Sequence, residues 1–389
     1  MSIYLDNSAT TKICPEALKK YVEVSESTFG NPSSLHGMGV DAEKLLEEAR
    51  KEIRNSIKDP KCEIVFTASG SEANNLAIIG RALSKERYKR GAKIITTDSE
   101  HASVFSPLAK LAEMGFKITR LPTKDGIVDI EALEKEMTPD VILVTVMMVN
   151  NETGALYDTA AVKSLMKAAC PDAYLHVDAT QSYLKLPFTK KSSGADMITV
   201  SSHKIEGPKG VGALIVDPAV IKARGLSPII MGGGQEMGLR SGTENVPAIA
   251  AFGEAARIGA QSLSQHFEKL SSLRSYLIEK LNTLPALADI SITDPKSHAP
   301  HILNVTLPSI KSETMLHYLS SEGIYVSSGS ACSSNSQHTS SALIAYGRTP
   351  AEADSSLRIS FSHRNEFSDV DALCDALASG LAKLARIKR

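Results

Sequence analysis

At 389 residues the chain is long for one hydrophobic core and suits two domains. Hydrophobic residues make up 42% and charged residues 22%, with a formal net charge of −1, so electrostatics offers no case for nucleic acid or an anionic membrane as partner. No run nears the ~18 apolar residues of a spanning helix, and five scattered cysteines without a Cys-x-x-Cys pair argue against a disulfide framework and a zinc ribbon.

The opening Met1-Ser2-Ile3-Tyr4-Leu5-Asp6 lacks the blocks of a signal peptide, so a soluble cytoplasmic protein is expected. Asp6 to Thr11 reads as a polar turn, and Pro15 starts a short helix. Phe29-Gly30-Asn31-Pro32-Ser33-Ser34 is loop chemistry. Ala42, Leu45, Leu46, Ala49, Ile53 and Ile57 then form one helical stripe. Glu63 to Thr67 is a predicted strand running into Ala68-Ser69-Gly70-Ser71-Glu72, with a helix from about Ala73. A strand, a Gly/Ser turn and a helix N-terminus can bind an anion through free amides and the helix dipole. Ser69 or Ser71 capping the helix is the plainer alternative.

Strands and helices then alternate. Lys93–Thr97 precedes His101, Val141–Val149 ends at Asn150-Asn151-Glu152, and Tyr174–Val177 ends at Asp178-Ala179-Thr180-Gln181. Met197–Val200 leads to Ser201-Ser202-His203-Lys204. This rhythm predicts an α/β fold with a mostly parallel sheet covered on both faces, and such sheets bind ligands beyond their strand ends. His101, Asn151, Asp178, Gln181 and Lys204 therefore form one predicted cluster. A lone strand-end Asp is usually a turn or cap residue, but consecutive strands ending this way are harder to dismiss. A lysine just past a buried strand can lose its charge to desolvation and form a Schiff base with a carbonyl cofactor.

Gly232 to Glu236 and Arg240-Ser241-Gly242-Thr243 read as a flexible stretch able to approach phosphate, or as a plain linker. Past Pro247 the pattern changes to long helices and isolated strands, an α+β unit. The expected division is a large domain over 13–250 and a smaller one of 1–12 with 251–389. Between two strands of the latter lies Ser327-Ser328-Gly329-Ser330-Ala331-Cys332. Serine and glycine can neither pack a core nor hold one shape, so Cys332 is expected to be exposed, mobile and reactive. Cys14, Cys62, Cys170 and Cys374 sit in or beside helices and read as structural.

Together these segments resemble the cysteine desulfurases of the NifS/IscS-like branch of class-V, fold-type-I pyridoxal-phosphate enzymes. The likeness rests on Ser-x-His-Lys-x-x-Gly-Pro-Lys-Gly around Lys204, His-Val-Asp-Ala-Thr-Gln at 176–181 and Val-Asn-Asn-Glu at 149–152. It rests equally on Ser-Glu-His at 99–101, Arg-Ser-Gly-Thr at 240–243 and Ser-Ser-Gly-Ser-Ala-Cys at 327–332. The resemblance implies a seven-stranded-type sheet and pyridoxal 5′-phosphate held covalently by Lys204. It implies Asp178 on the pyridinium nitrogen, His101 against the ring and in proton transfer, and Gln181 on the phenolic oxygen. Gly70, Ser71, Ser201 and His203 would bind the phosphate, with Thr243 arriving from the partner subunit of a homodimer. Asn151 and Arg358 would hold the substrate carboxylate, Asn151 also contacting the cofactor, with Asn31 a weaker candidate for the carboxylate.

The implied reaction turns L-cysteine into L-alanine, leaving sulfur as a persulfide on Cys332 for an iron–sulfur scaffold or a tRNA-thiolation relay. Position 70 is Gly and position 71 Ser where many relatives have a threonine, and Glu206 stands where relatives carry an uncharged or aromatic residue. The sequence stops at Lys388-Arg389, without the longer tail that housekeeping enzymes use on their scaffold, so the resemblance does not imply the usual scaffold contact, though it still implies the chemistry. Two other readings use the same scaffold: a selenocysteine or other β-eliminating lyase, which needs no loop thiol, and a non-catalytic sulfur carrier, which has no use for Lys204.

Overall fold

In a computed structural model, which describes residues 2–85, 91–308, 310–328 and 340–385, the aliphatic runs form a seven-stranded sheet. Its strand order is Glu63–Thr67, Gly212–Val216, Met197–Ser201, Tyr174–Asp178, Val141–Met147, Lys93–Thr97 and Lys117–Leu121. Gly212–Val216 runs antiparallel to both neighbours, and every other pairing is parallel. The exception follows from chain length: only residues 202–211 join it to Met197–Ser201, too few for the crossover that a parallel return requires.

Side chains alternate between the two faces as strand geometry dictates. Ile64, Phe66, Ala213 and Ile215 enter one core with the helix Gly37–Ser56 and the first half of the helix Val246–Thr283. Val65, Leu214 and Val216 enter another, under the helices Gly70–Leu83 and Ala102–Glu113. With both faces covered, the central strand Val141–Met147 is buried at every position, the expected texture of a parallel sheet between helices.

A third core surrounds a four-stranded antiparallel sheet ordered Ser327–Ser328, Ser356–Ser360, Ile302–Thr306 and Ser291–Thr293. The helices Ser312–Ser321 and Phe367–Ala385 pack on it with the second half of Val246–Thr283. Leu5 belongs to this core, and the strand Ile3–Tyr4 pairs in parallel with Ile324–Tyr325. The stretch from 230 to 243 is anchored rather than a linker. Ile230 bridges to Arg240, and buried Glu236 takes two hydrogen bonds from Arg50 and one from the Phe66 amide. No described helix is long and apolar enough to cross a membrane.

Candidate active site

The parallel strands deliver their C-terminal ends to one cavity of about 310 Å³. It gathers Gly70, Ser71, His101, Asn151, Asp178, Gln181, Ser201, His203, Lys204 and Arg358 from separate segments. Three sequence-predicted residues stand apart from these. Thr243 is exposed and lines a different cavity, and Asn31 is exposed with its side chain accepting from the Ser33 amide at 3.0 Å. Cys332 lies outside the described residues.

One end of the cavity suits an anion. Ser69 caps the helix Gly70–Leu83, its hydroxyl accepting from the Glu72 amide at 3.1 Å. That leaves the Gly70 and Ser71 amides, which have no intrahelical partner, at the positive end of the helix dipole. Capping by Ser69 thus leaves room for an anion at these amides, since it uses different atoms. Gly70 keeps the space open: a Cβ there would stand 3.2 Å from the Ser201 Cβ and 3.3 Å from the Thr180 hydroxyl. The buried Ser201 hydroxyl has no partner, which is the state expected of a donor reserved for a ligand. His203, with its Nδ1 3.1 Å from the Thr10 hydroxyl, is pushed down to about 4 by burial and then by Lys204, Lys209 and Lys185, so it stands here as neutral imidazole.

The opposite face is organised around Asp178. One oxygen accepts from Asn74 Nδ2 at 2.8 Å and the other from the Thr180 amide at 2.9 Å. Asn74 also donates to the Ser103 hydroxyl at 2.9 Å, and that hydroxyl lies 2.8 Å from His101 Nδ1. His101 caps its helix by accepting the Ser103 amide on Nδ1 at 3.1 Å, which places the proton of the neutral ring on Nε2. Burial holds this imidazole below its ordinary range; Asp178 opposes that and Lys204 reinforces it.

Lys204 Nζ donates to the Ser8 and Ala9 carbonyls. Gln181 Nε2 donates to the Ser8 carbonyl at 2.9 Å, and its Oε1 is buried without a partner. Arg358, on the antiparallel sheet, reaches across to donate to Asp6 at 2.8 Å and to the Asn151 carbonyl at 3.0 Å, leaving Nε buried and unpartnered. A lysine, a buried carboxylate, a neutral imidazole and a helix N-terminus around one cavity, with an arginine entering from the second sheet, is a set able to hold a phosphorylated heteroaromatic carbonyl and an amino acid.

Comparison with known proteins agrees with this chemistry. The Aminotransferase class-V family description matches residues 3–373. The chain belongs to that family. It is 41% identical over 375 residues to a NifS/IcsS protein homolog of Lactobacillus delbrueckii subsp. bulgaricus, covering 95% of this chain and 94% of the relative. It is 38% identical over 382 residues to cysteine desulfurase IscS 1 of Archaeoglobus fulgidus, covering 98% and 97%. A solved NifS-like protein superposes with a TM-score of 0.90 at 34% identity, over 98% of this chain and all of that one. The fold is accordingly that of the fold-type-I, class-V enzymes.

Within this class-V scaffold, sequence reasoning missed Asn74 and Asp6, each tying a predicted residue in place. Asn74 is 1% exposed on a helix whose buried face is apolar apart from Arg81, and a polar residue on such a face was the available signal. Glu206, which had no account from sequence, now has one. Its carboxylate pairs with Arg364 at 2.7 Å and faces His363 at 3.3 Å, while its amide donates to the Thr11 hydroxyl at 2.8 Å. It fastens the turn after Lys204 to the N-terminal segment and to the turn preceding the last helix.

Proposed function

We propose that the chain is a pyridoxal-phosphate-dependent cysteine desulfurase, converting L-cysteine to L-alanine and passing the sulfur onward through Cys332. The observation that carries this is the single cavity holding Lys204, Asp178 and His101 beside an open helix N-terminus, with Arg358 entering from the other sheet. The fit of the residues to the cofactor rests on the orphaned Ser201 hydroxyl and the cradle kept open at Gly70. Pyridoxal phosphate supplies an electron sink for the substrate's α-carbon when bound.

The chain's own residues do the rest. Gly70, Ser71, Ser201 and His203 hold the phosphate, Lys204 anchors the cofactor, and Asp178 keeps the ring nitrogen protonated. Gln181 donates to the ring oxygen. His101 packs on the ring and carries its proton on Nε2. Arg358 and Asn151 would orient the substrate carboxylate, and the Lys204 amine would take and return the α-proton. The Cys332 thiolate attacks the substrate sulfur, the Cβ–S bond breaks with its electron pair left on the carbon side, and the sulfur stays on Cys332 as a persulfide. An iron–sulfur scaffold or a thiolation relay in the cytoplasm takes it from there, and Thr243 serves the cradle of a second copy in a homodimer. The chain divides functionally into 13–250, which holds the cofactor, and 1–12 with 251–389, which brings Arg358 and Cys332.

The test is the visible spectrum of the purified protein before and after L-cysteine, with alanine and sulfide assayed together. A cofactor band that changes with cysteine, with both products formed, is expected. Lys204→Ala loses the band and turnover. Cys332→Ser keeps the band but loses reductant-dependent sulfide; full activity in that variant would assign a simple lyase instead.

A further inference from the structure

Lys204 lines two cavities. The second, of about 490 Å³, lies between the turn after Lys204, the start of the helix Pro15–Ser27, the long helix and residues 361–364. Its walls are largely apolar, from Leu184, Ile205, Ile258, Leu270 and Phe361. Lys185 opens into it while only 8% exposed, and among the described residues no hydrogen bond or ion pair reaches its Nζ. A buried ammonium without a partner is costly, and folded proteins keep such a group where it meets a counter-ion.

The nearby carboxylate is already committed, because Glu206 is paired with Arg364 and faces His363. The other neighbours add positive charge or none. Lys204 and Arg358 both act on Lys185, and His301 is fully buried with neither ring nitrogen bonded. The result is an apolar-walled cavity with one uncommitted cation in a positive surrounding.

We propose that this cavity is a second ligand site, for a small organic monocarboxylate with an apolar body, held by Lys185. The carboxylate would pair with Nζ and the body would lie against Ile205, Ile258 and Leu270. A dianion fits poorly, since Glu16 and Glu206 line the same cavity, Arg364 is paired with Glu206, and Lys204 donates to the Ser8 and Ala9 carbonyls. Burial pushes the Lys185 ammonium down to about 7, with Lys204 and Arg358 adding to the shift and Glu206 opposing it. The ligand binds the charged form, so its affinity falls as pH rises through that value.

The test reads binding rather than turnover: calorimetry and saturation-transfer NMR of the full chain with butyrate, and with inorganic phosphate as the counter-probe. Saturable one-to-one butyrate binding with a Kd on the order of 1–10 mM is expected, weakening with rising pH. Lys185→Met should weaken it by about tenfold or more, the loss of one charge-assisted contact. Ser262→Trp, on the partly exposed face of the long helix, narrows the cavity without touching Lys185 and should also abolish binding; it decides the matter if Lys185→Met does not fold. Absence of saturable binding would overturn the proposal. Binding unchanged in the variants would do so too, since it would place butyrate outside this cavity. Phosphate displacing butyrate with equal affinity would overturn the assignment to a monocarboxylate.

Discussion

Asp178 is useful to a cofactor only if its carboxylate is held at one place, and Asn74 is the side chain that holds it from a neighbouring helix. Asn74→Leu keeps the volume and removes the donor. A hydrogen bond to a charged group is worth ~1.5–3 kcal/mol, so pyridoxal phosphate should bind about ten- to a hundredfold more weakly. Titrating the cofactor-free chain by absorbance measures this, and unchanged affinity would remove Asn74 from any positioning role. Asp178 and Lys204 were legible in sequence because each ends a strand in a recognisable motif. Asn74 was not, because it and Asp178 are 104 residues apart and only the fold brings them together. The same holds for Arg358 and Asp6, separated by 352 residues. Glu206 was visible as an anomaly, but its partners at 363 and 364 were beyond any local pattern.

At the scale of elements, the alternating strands and helices could be read because hydrophobic periodicity is local. The antiparallel setting of Gly212–Val216 and the anchoring of 230–243 could not, since both depend on long-range partners such as Glu236 with Arg50. The helix Val246–Thr283 illustrates a constraint that only packing reveals. It runs unbroken from the core under the large sheet to the core of the antiparallel one. At Gly253 it crosses the helix Gly37–Ser56 so closely that a Cβ would stand 2.7 Å from the Ala49 Cα, a backbone atom that no rotamer change can move. Gly253→Val should therefore push the helices apart and cost ~1–3 kcal/mol by overpacking. Urea denaturation should show a lower midpoint with an unchanged slope. Wild-type stability would mean that the two helices separate without cost.

Across the whole molecule the titratable groups set a pH dependence, and the site's completeness sets an assembly. Six histidines are held below the ordinary imidazole range, each first by burial: His101, His176, His203, His266, His301 and His363. His176 and His203 are pushed to about 4. Below about pH 6.5 the unfolded chain takes up protons that the folded chain refuses, so stability is lost on acidification through that window. Glu100, raised to about 8 by burial, and Glu152 and Glu244, also raised by burial, act in the opposite direction, because the folded state keeps their protons. Among the described residues, six imidazoles against three carboxyls leave a net loss on the order of 2 kcal/mol between about pH 6.5 and 5, readable from urea midpoints at the two pH values; no loss would mean these sites stay hydrated. Assembly can be tested at the same scale. Thr243 is exposed and does not line its own chain's cradle, lining a cavity with Arg240 and Glu236 instead. If a second copy places it at the phosphate, two inactive chains should complement each other. Lys204→Ala lacks the anchoring amine but keeps Thr243, whereas Thr243→Glu keeps the amine and sets a carboxylate against the partner's phosphate site. In a mixed dimer, the Lys204 of the second chain meets the Thr243 of the first, and one of the two sites is whole. Random pairing puts half of the dimers in that class, so co-expression should restore about a quarter of wild-type activity while each variant alone is inactive. Activity in Thr243→Glu by itself would show that this hydroxyl takes no part. Two inactive variants that fail to complement would place Thr243 in its own chain's site.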